Sequence, residues 1–172
     1  MEPQVAPLAT LLDLNTDLLL NCLEGVTDTE ARERLAGNCN SAAFLAAHLT
    51  DSRYFLAARI GRPLDNPLAR FLATARSIDE VTEWPTLEEI RMAWVAVSEH
   101  LQTALGALSA ADLAKPNAHR FPIPDSSQLG LIAFLVQHDS YHLGQAALLR
   151  RQLGKPPMLY SRARRQPTAA GA

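Results

Sequence analysis

The stretch Ser126–Gly154, SSQLGLIAFLVQHDSYHLGQAALLRRQLG, decides the fold of this chain. Its apolar residues return every three or four positions, with Leu131, Phe134, Leu135, Ala146 and Leu149 on one stripe. That is the period of an amphipathic helix and not of a strand. Ser126 or Ser127 can cap its start, and Gly154 followed by Lys155, Pro156 and Pro157 ends it.

The rest of the chain has the same period. A first helix is expected over about 7–24, with Leu8, Leu11, Leu12, Leu18, Leu19 and Cys22 inward and Gly25 as its stop. A second opens after Asn40 and Ser41, carries Phe44, Leu45, His48, Phe55, Leu56 and Ile60 on one face, and ends before Gly61 and Pro63. A third begins at Thr86, where Glu89 three positions on completes a capping box, and buries Leu87, Ile90, Trp94, Val97, Leu101, Ala104, Leu105 and Leu108. Val, Ile and Thr never alternate as strands require, so the expected fold is all-α, a four-helix bundle. A further short helix is expected over about 29–35. The link from Gly61 to Pro85, with another short helix over about 67–77, is too long for a hairpin loop. It predicts a crossover that leaves the second and third long helices parallel. The segment Ala114–Asp125 holds Pro116, Pro122 and Pro124 and reads as a loop or lid over one end.

Composition bounds the function. At 172 residues, 48% hydrophobic and 20% charged, the chain has the make-up of one globular domain. That domain is expected over 1–160, followed by a flexible tail over 161–172 whose Arg162, Arg164 and Arg165 are solvated. Sixteen basic against eighteen acidic residues give a net charge of -2, so nucleic acid is not an expected partner. No apolar run approaches the roughly 20 residues of a membrane span. The start Met1-Glu2-Pro3-Gln4 has no basic signal region, so neither a membrane nor secretion is expected and the location is read as cytoplasmic. Cys22 and Cys39 lack metal or disulfide spacing, and each reads as a buried reduced thiol.

The chemistry concentrates in Gln137–Gln145. His138 and His142 stand four apart on one helix, so their imidazoles project the same way and can share an ion. Both fall on the apolar stripe and are expected to face the bundle interior, as is His48 from the second helix. A single inward histidine is usually a core residue with one hydrogen bond. Burying three without partners costs desolvation that a shared divalent ion removes, and three imidazoles leave such an ion open positions for chemistry. Around them, Asp51 reads as a proton carrier, an orienting group or a plain solvated carboxylate. Gln145 reads as a ligand-binding or helix-packing amide. Tyr141 and Asn15 reach either the cavity or their helix neighbours, and Gly144 marks close helix packing. His100 and His119 have no partner at i,i+4 and are read as surface or loop residues.

His138-x-x-x-His142-x-Gly144-Gln145, followed by Leu149-Arg150-Arg151-x-Leu153-Gly154, resembles the last-helix signature of the DinB-like (DinB/YfiT-like) superfamily. His48-Leu49-x-Asp51-Ser52-Arg53, ending at Ile60-Gly61-Arg62-Pro63, is similar to its second-helix pattern. The resemblance covers about residues 7–155. It implies a bundle with the crossover inferred above, often a homodimer, holding a divalent transition metal, Zn or Ni foremost, on His48, His138 and His142. The family includes transferases and isomerases that use a low-molecular-weight thiol such as bacillithiol, mycothiol or glutathione, besides members without an assigned activity. The expected function is therefore a metal-dependent enzyme acting on a small-molecule substrate, foremost a thiol S-transferase with Asp51 catalytic and Gln145 and Tyr141 binding the cofactor. A metal-dependent hydrolase and a non-catalytic, metal-binding stress-response protein stand as alternatives.

Overall fold

Side chains that cap the backbone set where the helices begin in the computed structural model, which describes residues 1–35, 39–72, 77–119 and 121–160. The Thr27, Ser41, Thr86, Ser109 and Ser127 hydroxyls each accept a backbone N–H of the following turn. Thr27, Thr86 and Ser109 form complete capping boxes with Glu30, Glu89 and Asp112. The helices are α1 (Ala6–Leu23), α2 (Asp28–Arg32), α3 (Ala42–Arg59), α4 (Ala69–Leu72), α5 (Leu87–Gly106), α6 (Ala110–Ala114) and α7 (Gln128–Gln152), with a 3₁₀ turn over Ile78–Glu80. No strand occurs among the described residues. Gly25, Gly61 and Gly154 take positive φ just past α1, α3 and α7, which is why those helices stop there.

The four long helices are the four expected. α2 ends at Arg32, short of the expected 35, and α6 was not foreseen. The short helix expected over 67–77 appears over Ala69–Leu72; its remainder over 73–76, like the tail over 161–172, lies outside the described residues. Of the described helices, none is long and apolar enough to cross a membrane.

Hydrogen bonds at the two ends give the helix directions. At one end Gln102 donates to the Ala9 carbonyl, His100 to the Arg62 carbonyl and Gln128 to the Arg59 carbonyl. At the other, Arg91 and Arg150 donate to carbonyls at and just past the end of α1, those of Leu23, Cys22 and Glu24. α1 and α7 therefore run one way and α3 and α5 the other, so the crossover does leave α3 and α5 parallel. α1 and α3 each pack against both α5 and α7.

Two assignments of facing change. Leu11 is 45% exposed, because the buried stripe of α1 runs through Ala9, Leu12, Asn15, Thr16 and Leu19 instead. Cys39 is exposed, since it precedes α3 in a connecting segment, whereas Cys22 is buried. Burial pushes the Cys22 thiol up to about 11, against the opposing pull of Arg150.

The centre of the core is polar. Arg53 of α3 is 1% exposed and Asp139 of α7 2%. The guanidinium donates to Asp139 Oδ2 at 2.8 and 2.9 Å, to the Thr16 hydroxyl at 2.7 Å and to the Leu12 carbonyl at 2.9 Å. It also donates to the Ser98 hydroxyl and lies 3.6 Å from the Trp94 ring centroid. One side chain thus contacts all four long helices. Removing either charge leaves the other buried and unpaired, so Arg53→Ala and Asp139→Ala are each expected to cost about 3–5 kcal/mol. The joint replacement Arg53→Met/Asp139→Leu is expected to cost much less than the two losses combined. Urea unfolding of the three variants checks this, and simple additivity would show that the residues do not act through each other.

Candidate metal centre

Asp139 points into the core, and that orientation determines where its neighbours go. Successive residues are about 100° apart around a helix, so His138 and His142 both land on the same flank of α7, about 40° from each other. That flank faces α3, whose His48 meets them. The rings are therefore half-buried at the α3–α7 seam rather than inside the bundle as expected, because Arg53 and Asp139 occupy the interior.

His48, His138 and His142 form a group whose ligand atoms all lie within 4.8 Å of one another. Ring centroids are 5.0 Å apart for His48 and His138, 5.1 Å for His48 and His142, and 4.5 Å for His138 and His142. The Nε2 atoms of His48 and His138 are 3.1 Å apart. Two nitrogens bound at about 2.1 Å to one ion lie about 3.0–3.4 Å apart for coordination angles between octahedral and tetrahedral. Residues and spacing thus fit a divalent ion. The facing of two imidazole nitrogens points the same way, while the other ring nitrogen of His138, the buried Nδ1, has no partner among the described residues.

His142 is oriented by its own helix. Its Nδ1 donates to Gln145 Oε1 at 2.6 Å, an oxygen that can only accept, so the Nε2 lone pair is left free. The Gln145 amide in turn reaches the Tyr141 hydroxyl at 3.4 Å. Tyr141 is 58% exposed and flanks His142 with ring centroids 5.0 Å apart. Burial, with repulsion from neighbouring imidazoles added, pushes both His48 and His138 down to about 4, so both are neutral at pH 7 as ligation requires.

Phe44 stacks parallel to His48, and Phe134 lies one turn before His138. Beyond them the Pro-rich loop folds back on the seam, with His119 edge-on to Phe55 and Phe121 stacked 4.4 Å from Phe134. Backbone bonds of Asn117 to Ser126 and Gln128 to Lys115 pinch the base of that loop. His119 is a loop residue, as read.

Asp51 lies outside the histidine group. Its carboxylate accepts the Asn66 side chain at 2.8 Å, and burial pushes its pKa up against that bond. Asn15 ties α1 to α7 through the Ser140 hydroxyl at 3.1 Å and is an interhelical amide. Gly144 is exposed, and a Cβ there would meet nothing within 4 Å, so close packing does not explain it. The close-packed glycine of α7 is Gly130, where a Cβ would collide with Asp125. Sequence reasoning passed over Arg53 and Asp139, although an acid between two paired histidines and an arginine inside an apolar helix were visible signals.

No curated protein matches the chain. A family model described as the DinB superfamily matches residues 11–146, which takes in all three histidines, Asp51, Arg53, Asp139 and Gln145. With that match over most of its length and a three-histidine group at the α3–α7 seam, the chain belongs to the DinB superfamily.

Proposed function

We propose that this protein is a divalent-metal-dependent enzyme, foremost a transferase that joins a low-molecular-weight thiol to a small electrophilic substrate. The observation that carries the reading is the group of three imidazoles on two facing helices, with no fourth His, Cys, Asp or Glu to close the shell among the described residues. A divalent ion held there supplies the positive charge that keeps a coordinated thiol ionised at neutral pH.

The chain's own residues divide the work. His48, His138 and His142 hold the ion, Zn or Ni foremost. Gln145 fixes the His142 tautomer, and the Phe44 and Phe134 rings shield one side of the site from water. Asp51, its carboxyl pushed up by burial, would take, directly or through water, the proton the thiol gives up on ionising, before the sulfur attacks the substrate's electrophilic carbon and displaces its leaving group. Family resemblance alone supports a homodimer, and a cytoplasmic location rests on the sequence reading of its start and its apolar runs. Metal-assisted hydrolysis by the same group is the second reading, favoured by the same open shell.

Protein purified without a histidine tag is expected to bind about one Zn or Ni per chain at pH 7. His48→Ala, His138→Ala and His142→Ala should each weaken uptake sharply, while His100→Ala and His119→Ala should not; equal loss from all five would make the binding adventitious. In a cobalt-loaded sample, bacillithiol, mycothiol or glutathione should add a sulfur charge-transfer band in the near ultraviolet. Ester hydrolysis without any such band would replace the transferase reading with the hydrolase.

A pH dependence follows for the metal-free protein. His48 and His138 take protons near 6.5 when unfolded and only at about 4 when folded, so the unfolded chain binds more protons in between. Their contribution to stability is whole above pH 6.5 and is lost as the pH falls toward 4. Melting temperatures between pH 7 and 4 should therefore fall more steeply in the wild type than in His48→Gln/His138→Gln.

A further inference from the structure

Gln145 belongs to two features at once. Its Oε1 holds His142, and its side chain also lines a cleft of about 320 Å³ between the start of α3 and the end of α7. That volume lies at the small end of the range for small-molecule sites. The Leu45, Leu148 and Leu149 side chains give the cleft its apolar part, and exposed Cys39 lies at its rim. The polar part is a set of three primary carboxamides, Asn40, Gln145 and Gln152. The Asn40 and Gln152 amides make no hydrogen bond among the described residues, and the Gln145 amide nitrogen makes only its 3.4 Å contact with Tyr141. Each carboxamide both donates and accepts, so the three together match amide or hydroxyl groups on a ligand.

Among the described residues, the lining of the cleft holds no charged side chain. A carboxylate or ammonium entering it would lose water and gain no opposite charge, whereas an amide or hydroxyl would exchange its water bonds for carboxamide bonds. We propose that this cleft binds the non-reacting part of the enzyme's ligand, and that this part is an uncharged, amide- or hydroxyl-bearing chain on an apolar body. Gln145 is then the point of contact between the bound chain and the ligand shell of the ion. The location of the reacting end rests on the metal reading above; the occupancy and charge preference of the cleft do not.

The test uses the full chain without metal, followed by amide-resolved NMR at pH 7. Two probes of one shape differ in charge: N-acetyl-leucinamide is neutral and N-acetyl-leucine carries a carboxylate. Saturable shifts are expected at Asn40, Gln145, Leu148 and Gln152 with the neutral probe, and at least about tenfold weaker binding of the carboxylate. Gln152→Lys places a cation at an exposed position where folding tolerates it, and should reverse the preference. Leu148→Trp, also at an exposed position, should fill the cleft and weaken both probes. Equal binding of the two probes, shifts centred elsewhere, or no saturable shifts would overturn the proposal. Zinc-loaded protein titrated with N-acetyl-cysteinamide separates the two readings. Loss of the thiol's advantage over N-acetyl-leucinamide there, with the metal-free shifts intact, overturns the thiolate reading and supports the cleft alone.

Discussion

The contact between Arg53 and Asp139 constrains everything else in this molecule. Two opposite charges removed from water are tolerated only when nearly every lone pair and N–H is satisfied, and here the partners come from all four long helices. Any helix that rotated or slid would break at least one of those bonds and strand a charge. The alanines and leucines around the pair supply most of the burial but little orientation, because apolar contacts are non-directional. The pair is therefore what selects one rotation of α7 against α3 out of the several that would bury comparable apolar area. From that rotation the histidine site follows, since His138 and His142 can only occupy the flank left over once Asp139 has taken the interior.

This also explains what the sequence disclosed and what it hid. Local signals were legible because their partners are close in the chain: Thr86 and Glu89 are three residues apart, as are Ser41 and the Phe44 amide it caps. The histidine pair was legible for the same reason. The length of the Gly61–Pro85 link sufficed to predict parallel helices, since it reflects the distance the chain must travel. The polar hub was hidden because Arg53 and Asp139 lie 86 positions apart, and neither is conspicuous without the other. Missing it led to the placing of the site's rings inside the bundle. A stripe of apolar residues with two histidines was assigned a single inward direction, when the interior direction belonged to the residue between them. Gly144 was misread by the same logic, since it shares the outer face with Tyr141.

The position of the site at a seam has consequences for its chemistry. A fully enclosed three-histidine group would hold an ion beyond the reach of an organic substrate, and a fully exposed one would let water and chelators compete for every open position. Half-buried rings between α3 and α7, walled by Phe44 and Phe134 on one side and open toward Tyr141 and Gln145 on the other, fall between those limits. Desolvation is deep enough to keep His48 and His138 unprotonated at neutral pH, so no proton has to leave before an ion can bind.

Rigidity and access are divided between two sides of the same pair of helices. On the inner side, Asp139 and Arg53 hold α7 and α3 with short charge-assisted bonds that do not involve the histidines. On the outer side, His142 depends on a single bond to Gln145, whose amide has capacity to spare and lines open space. Changes in what occupies that space reach His142 through one side chain, and reach His48 and His138 through the His142 ring that both contact. The His142 nitrogen is consequently the candidate ligand position most open to adjustment, since the end of α7 and the start of α3 can change in sequence without exposing the buried charges.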